Sequence, residues 1–329
     1  MNSGLVEPVQ RLFKDFGPVD VTMTIYIVLG IAGLGVATPL MFNIVTDKGL
    51  NSRKEFQVMA AASFVDSLYV AINVINSAYR IFVTAKPVTR GECIVTPTIF
   101  TSTVISQLYG QMPLFVAIDR LLALKFGNWY YAKKTLRYIY VLVLIPLTCS
   151  LAIAIINAVW IKVTSADLET TSSLCFSSSK TQKSSDVIES TVPGLIHKDF
   201  QYVFFGVKWF DVIFSTVVFG VVLYFQHNDP RLDVCSPNWK TTINSAYRST
   251  AASTLSSLVS ILLPDALLLT VTSKTLVVTT VLYSMQLLKL PGNILAYIFL
   301  HKEVREIYRN FPKRSNSNVI HVIPMVAKT

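Results

Sequence analysis

CIVTPTIFTSTVISQLYGQMPLFVAIDRLLALKFGNWYYAKK, residues 93–134, is the stretch that decides the fold. Its first part, Ile94 to Ile118, contains no charged residue and is long enough to cross a bilayer, which needs about 20 residues of helix. Asp119-Arg120 ends this apolar run, and a basic, aromatic segment follows. An apolar span that leads into a cationic loop is typical of a helix that leaves the membrane on its cytoplasmic side.

The whole chain has the composition of an integral membrane protein. It has 329 residues, of which 52% are hydrophobic and only 15% charged, and its mean hydropathy is +0.51. A soluble domain carries about 25% charged residues. The net charge of +10 does not indicate a nucleic-acid partner, because the Lys and Arg residues lie in loops between apolar blocks.

These apolar blocks predict an all-α membrane protein, a bundle of seven transmembrane helices. The first block begins near Val21 and is too long for the apolar region of a signal peptide, so we expect it to be retained. The amphipathic segment KEVREIYRNF, residues 302–311, predicts a short interfacial eighth helix. The predicted spans are residues 21–46, 56–79, 94–118, 138–161, 200–226, 249–271 and 276–300.

Positive charge predicts the orientation of the bundle. Seventeen Lys and Arg residues fall on one side and ten on the other, with Lys208 and Lys289 inside spans. The richer side is the cytoplasm, so we expect the amino terminus outside a plasma membrane. The predicted regions are an extracellular segment 1–20, a transmembrane domain 21–300, an interfacial helix 301–311 and a cytoplasmic tail 312–329.

The cysteines fit this orientation. Cys93 and Cys175 fall outside, where disulfides persist, whereas Cys149 lies within a span and Cys235 in an inner loop. We expect a Cys93–Cys175 bridge that holds the long polar outer loop, residues 162–199, over the mouth of the bundle. The alternative is two unrelated thiols.

Four motifs carry a resemblance to rhodopsin-like G-protein-coupled receptors. IDRLLALKFGNWY is similar to the end of their third helix, with Leu121 in the third place of the usual Asp-Arg-Tyr. NILAYIF, residues 293–299, resembles their Asn-Pro-x-x-Tyr, with the proline displaced to Pro291. AAASFVDSL around Asp66 and the span-six Pro264 complete the set. The loosened motifs resemble those of nematode serpentine chemoreceptors of the Srsx group.

The resemblance implies a chemosensory receptor for odorants or pheromones, expected in a sensory cilium. It would pass the binding of an extracellular small-molecule or peptide ligand to a heterotrimeric G protein, in contact with membrane lipid and without a cofactor, a metal or a nucleic acid. Asp119, Arg120 and Tyr297 would form the switch: the acid holds Arg120 at rest and releases it when the sixth span swings. The alternative for Asp119-Arg120 is a plain charged helix stop.

Ionisable side chains at bilayer depth are costly, so they are paired or face a cavity. Asp66 and Lys289 fall at similar heights, and we expect them to pair where the resembled family binds a sodium ion. The alternative is that Lys289 faces lipid near a thinned edge.

Other polar residues in the spans are candidates for ligand binding. Lys208 and Asp211 lie three residues apart on one helical face, either as ligand contacts or as a pair that neutralises itself. Asp265 follows the span-six proline, in the region that lines the ligand cavity of the resembled family. Ser102 and Ser106 would add hydroxyl contacts, or equally would bond between helices.

A transporter or channel and an intramembrane enzyme are the two alternative classes of protein. A small transporter or channel would suit intramembrane Lys and Asp residues, but no internal repeat is visible. An intramembrane enzyme would need a metal cluster or paired catalytic acids, and the sequence has neither pattern. We therefore expect a receptor and not an enzyme.

Overall fold

The computed structural model describes residues 18–82, 87–132, 135–163, 170–172, 198–228, 237–270 and 276–317. All seven expected spans are helical, and an eighth helix follows them, so the predicted fold class is confirmed. The helices are α1 Pro18–Thr46, α2 Lys54–Phe82, α3 Pro97–Lys125, α4 Thr135–Val163, α5 Lys198–Asn228, α6 (Pro237–Ser257, a π turn Leu258–Leu262 and Leu263–Thr270), α7 Leu276–Leu300 and α8 Lys302–Ser317.

Shorter elements connect these helices. Three are short helices, Lys48–Asn51, Arg90–Val95 and Gly127–Ala132. Two are three-residue strands, β1 Pro87–Thr89 and β2 Thr170–Ser172, which pair antiparallel. The strands join the loop before α3 to the long loop after α4. We call this the strand end of the bundle and the opposite end the α8 end.

The third helix is displaced along the sequence relative to the predicted span. It begins at Pro97, where a proline is favoured because the first helical N–H has no partner, and Ile94 belongs to the short helix before it. It continues to Lys125, so Asp119-Arg120 lies inside the helix and does not end it. The end of an apolar run indicates where a helix leaves the membrane, but the backbone hydrogen bonds of the helix can continue beyond that point.

Two other boundaries also differ from the sequence prediction. The inner loop expected over residues 227–248 is wrong for its second half, because α6 begins at Pro237. This first turn of α6 is polar, so hydropathy gave no sign of it. The eighth helix continues past residue 311 to Ser317.

A π turn interrupts α6 immediately before Pro264. The N–H of Leu263 donates to the carbonyl of Leu258, five residues back. Pro264 has no N–H and cannot continue an α-helical ladder, so the backbone opens at this point. The turn therefore interrupts the regular hydrogen bonding of α6 shortly before Asp265.

Five of the described helices are long and apolar enough to cross a membrane: α1, α2, α4, α5 and α6. The two others, α3 and α7, have 29 and 25 residues and are also long enough. Both carry polar side chains of the bundle interior, namely Gln107, Gln111, Asp119, Arg120, Gln286, Lys289 and Asn293.

The polar interior faces an apolar exterior. Helix α3 packs against α2, α4, α5 and α6, and α7 packs against α1, α2 and α6. Large apolar side chains point outward, such as Val28 (60% exposed) and Ile31 (58% exposed) on α1. Lipid tails solvate such side chains as well as a protein core does, so this distribution suits a bilayer.

Helices α1 and α2 make their closest approach at Gly30. A β-carbon at this position would lie 2.2 Å from Cγ2 of Val74, whereas one at Gly35 would meet nothing within 4 Å. Val74 is β-branched and has one strongly preferred rotamer in a helix, so it cannot turn aside cheaply.

We therefore predict that Gly30→Ala lowers the thermal unfolding temperature of the purified protein. Gly35→Ala is the matched control on the same helix. It should leave the temperature unchanged or raise it, because alanine is favoured over glycine in a helix by about 1 kcal/mol. Equal stability of the two variants would contradict the close approach.

Candidate ligand cavity and signalling core

A cavity of about 150 Å³ opens at the strand end of the bundle. Helices α1, α2, α3, α5, α6 and α7 all contribute to its walls. The lining residues are Tyr26, Tyr69, Asn73, Asn76, Ser77, Arg80, Ile99, Ser102, Thr103, Ser106, Phe204, Phe205, Lys208, Asp265, Leu268, Tyr283, Gln286 and Leu287.

Four of the five residues that the sequence nominated for ligand binding line this cavity: Ser102, Ser106, Lys208 and Asp265. The fifth, Asp211, is buried on α5 but is not part of the lining.

Lys208 pairs with the other acid. Its Nζ lies 2.9 Å from Oδ2 of Asp265, and both side chains are buried. The alternative of a Lys208–Asp211 pair is therefore wrong. The Lys208 stem crosses Gly110 of α3, where a β-carbon would lie 2.9 Å from Lys208 Cγ. The missing side chain of Gly110 lets the ammonium reach α6.

Gln286 of α7 is the centre of a set of hydrogen bonds below the cavity. Its Nε2 donates to Oδ1 of Asp265 at 2.7 Å, and its Oε1 accepts from the Tyr69 hydroxyl at 2.6 Å. Its backbone carbonyl accepts from the Tyr109 hydroxyl at 2.8 Å. The rings of Tyr69 and Tyr109 stack with their centroids 4.1 Å apart.

One turn further along α7, Lys289 contacts Asp66. Lys289 Nζ lies 2.8 Å from Asp66 Oδ1, and Asn293 Nδ2 donates to Asp66 Oδ2 at 2.9 Å. The ammonium also lies 3.9 Å from the Tyr109 ring centroid, within the range of a cation–π interaction. Lys289 is only 2% exposed, so it does not face lipid.

These contacts form one continuous set, which we call the polar chain: Lys208, Asp265, Gln286, Tyr69, Tyr109, Lys289, Asp66 and Asn293. It runs from the cavity into the middle of the bundle and joins α2, α3, α5, α6 and α7. Gln286 and both tyrosines were not among the site residues predicted from the sequence. An amide three residues before Lys289 in an apolar span was a usable signal, whereas the tyrosines gave none.

At the α8 end, Asp119 and Arg120 are paired and buried. Arg120 Nη2 lies 2.9 Å from Asp119 Oδ2, and the Tyr138 hydroxyl donates to Asp119 Oδ1 at 2.7 Å. Arg120 and Tyr297, both nominated by the sequence, line the same small crevice of about 20 Å³. The crevice walls also include Glu55, Ser249, Thr250 and His301.

Lys54 attaches the short helix after α3 to this region. It is buried at the start of α2, donates to the carbonyl of Tyr130, and has its Nζ 4.6 Å from the Tyr130 ring centroid. The Tyr130 ring in turn packs edge-on against Tyr138, the partner of Asp119. Neither Lys54 nor these tyrosines were among the site residues predicted from the sequence.

His301 joins α6 to the junction of α7 and α8. Its Nε2 lies 2.9 Å from Ser249 Oγ, and its ring lies 5.7 Å from the Phe56 ring. Burial is the main reason why the pKa of His301 falls from 6.5 to about 4. The neutral imidazole is therefore the form that the folded protein favours.

Some sequence predictions lie outside the described residues. They include the Cys93 side chain and Cys175, most of the extracellular segment 1–20 and the tail beyond Ser317. Strand β1 ends four residues before Cys93, and β2 ends three residues before Cys175. The disulfide stays a prediction, and the strand pairing places the two loop segments side by side.

Residues 27–189 match the family model described as serpentine type 7TM GPCR chemoreceptor Srsx. The matched residues include most of α1, all of α2, α3 and α4, and strand β2. They end before α5, so Lys208, Asp265 and Lys289 lie beyond the match. A comparison with curated proteins gave no match.

Replacing Lys289 tests the buried ion pair. We predict that Lys289→Met destabilises the protein by about 3–5 kcal/mol, because it leaves the Asp66 carboxylate buried without its cation. Thermal unfolding of purified protein and the amount at the cell surface measure this loss. The double variant Lys289→Met/Asp66→Asn should recover most of it, and a single variant as stable as the parent would refute the pair.

His301 predicts a pH dependence of stability. Because its pKa is lower in the folded protein (about 4) than in the unfolded chain (6.5), its contribution is complete above pH 6.5. That contribution is lost as the pH falls from 6.5 towards 4, since the unfolded chain binds the proton first. The unfolding temperature of His301→Gln should change less over this interval than that of the parent. Parallel curves for the two proteins would contradict the assignment.

Proposed function

We infer that this chain, whose residues 27–189 match the family model of the Srsx serpentine seven-transmembrane chemoreceptors, transduces the binding of a small extracellular molecule to a heterotrimeric G protein. The observation that carries the proposal is the polar chain. It begins at a cavity at one end of the bundle and reaches Asn293, one helical turn from Tyr297 in the crevice at the other end.

We place the cavity on the extracellular side of the plasma membrane and the crevice on the cytoplasmic side. The excess of Lys and Arg in the loops and the tail at the α8 end supports this orientation. The basic helix α8, with Lys302, Arg305 and Arg309 exposed, would then lie against the inner leaflet.

Helix α6 is the element that a ligand would move. Its polar contacts with α7 and with the junction of α7 and α8 include Asp265 to Gln286 at the cavity and Ser249 to His301 at the crevice. The π turn at Leu258–Leu262 lies between these two contacts. A ligand that changes the surroundings of Asp265 would bias a pivot of α6 about this turn, which is a two-state mechanism.

The described conformation fits the resting state. Arg120 is paired with Asp119, and the crevice is far too small to admit a segment of another protein. An outward movement of the lower part of α6, which carries Ser249 and Thr250, would widen the crevice and expose Arg120 and Tyr297. G-protein binding would then stabilise the open state.

The geometry favours a receptor over a transporter. Below the cavity the described structure is closed by the stacked Tyr69 and Tyr109 and by the Lys289–Asp66 pair. Solute passage would have to break this buried polar set, whereas signalling needs only a shift between two arrangements of it.

We predict opposite effects for the two residues of the switch. Arg120→Ala should abolish agonist-stimulated nucleotide exchange on a promiscuous G protein while ligand binding remains, because it removes the cation that the open state exposes. Asp119→Asn should raise exchange without agonist, because Arg120 loses its resting partner. The assay uses purified receptor in liposomes and a panel of small odorants.

Arg309→Ala is the matched control, since Arg309 is exposed on α8. It should retain the agonist response of the parent. A normal response from Arg120→Ala, or solute flux in place of exchange, would overturn the proposed function.

The orientation has its own measurement. An epitope tag inserted beside Trp129 should be accessible to antibody only after cells are permeabilised, and a tag on the amino terminus should be accessible without permeabilisation. Exposure of the Trp129 tag on intact cells would reverse the topology.

A further inference from the structure

We propose that the cavity selects small organic anions, in particular carboxylates that carry a compact apolar body, and that Arg80 binds the carboxylate. The proposal rests on the proposed function, because it names the class of ligand that the same receptor cavity would take. Its first basis is charge. The described lining contains two cationic side chains, Arg80 and Lys208, and one acidic side chain, Asp265.

The acid of the cavity is already engaged on both oxygens. Asp265 Oδ2 lies 2.9 Å from the Lys208 ammonium, and Oδ1 accepts from Gln286 at 2.7 Å. A cationic ligand would have to displace Lys208 from this carboxylate and would then lie near two other cations. In a buried site such like-charge contacts are weakly screened, so amines are disfavoured.

Arg80 provides the complementary anchor for an anion. It lies in the last turn of α2 with its side chain half-buried on the cavity wall, and Nη1 contacts the sulfur of Met23 at 3.4 Å. A guanidinium has five N–H donors in a planar fork. This fork matches the two oxygens of a carboxylate, so Arg80 would bind the ligand through two parallel hydrogen bonds.

Polar neighbours of Arg80 extend the same site. Asn76 and Ser77 lie four and three residues before it on α2, so all three side chains share one helical face. Both are buried, and both line the cavity. Their amide and hydroxyl groups can donate further hydrogen bonds to a bound carboxylate.

The remaining walls determine what the anion must carry. Tyr26, Tyr283, Phe204, Phe205 and Leu268 line the cavity with aromatic and aliphatic surface. The Tyr26 and Tyr283 rings meet edge-on with centroids 6.4 Å apart. Burying such surface favours a ligand with an apolar chain or ring, and a cavity of about 150 Å³ limits it to a small one. Inorganic anions and large peptides fit this lining poorly.

The test compares ligands that differ only in their charged group. Full-length receptor purified in lipid nanodiscs is titrated with hexanoate and phenylacetate, with the matching amides, and with hexylamine and phenethylamine. Binding is followed by the thermal shift of the receptor without any G protein. We expect the carboxylates to bind about tenfold or more tightly than the amides, and the amines to bind weakest, because a hydrogen bond to a charged acceptor is stronger than one to a neutral acceptor.

Variants of Arg80 test whether this residue causes the preference for carboxylates. Arg80→Gln should remove the preference for carboxylates over amides, and Arg80→Lys should keep part of it. The matched control is Lys162→Gln, which also removes one positive charge but at an exposed position in the last turn of α4, outside the cavity lining. It should keep the carboxylate preference.

Three results would overturn the proposal: amides or amines that bind as tightly as carboxylates, no saturable carboxylate binding, or a preference that survives Arg80→Gln. Because binding is measured without a G protein, a failure of nucleotide exchange does not affect this result. Exchange driven equally well by neutral odorants would uphold the receptor function and reject the anion selectivity.

Discussion

The contact between Lys289 and Asp66 constrains the rest of the structure. Each charge would cost several kcal/mol if it were buried alone, so the two must meet inside the bundle, and their helices must face one another. Asn293 occupies the second oxygen of Asp66, and the Tyr109 ring covers the ammonium. These additional contacts repay part of the desolvation cost. They also fix the rotation of α2, α3 and α7 about their own axes, since a turned helix would leave a charge against lipid.

This constraint accounts for the arrangement of polarity in the bundle. Helices α1 and α4 contribute few side chains to the polar interior, and their sequences are strongly apolar. Helices α3 and α7 contribute Tyr109, Gln286, Lys289 and Asn293 to the polar interior. Small residues make the required approach possible, because Gly30 admits Val74 and Gly110 admits the Lys208 stem. The chain thus combines an exterior that lipid can solvate with an interior that is held by specific polar contacts rather than by apolar burial alone.

Much of the fold could be predicted from the sequence, because a helix inside a bilayer must satisfy its own backbone and must be apolar over a known length. The same rule failed outside the bilayer, where Pro237 begins α6 in a polar segment and α3 continues through Asp119-Arg120 to Lys125. Counting residues along α2 and α7 brought Asp66 and Lys289 to one depth. The partner of Lys208 could not be found by counting residues along α5. The Lys208 side chain reaches Asp265 on α6 because it passes over Gly110 of α3, and this contact between helices cannot be read from the sequence of α5.

In the proposed function, the polar chain is the set of contacts through which a ligand in the cavity would affect the crevice. Apolar contacts weaken gradually when helices slide past one another. A buried hydrogen bond behaves differently, because a polar group that loses its partner in a medium of low dielectric constant costs free energy. Gln286 hydrogen-bonds Asp265 and Tyr69 through its side chain and Tyr109 through its backbone carbonyl. A movement of one of these partners therefore requires the other hydrogen bonds of Gln286 to rearrange. The set therefore favours a few discrete arrangements over a continuum. Helix α6 contributes Asp265 to this set and meets the α7–α8 junction at Ser249, with a π turn between, which is why the proposed movement is assigned to α6.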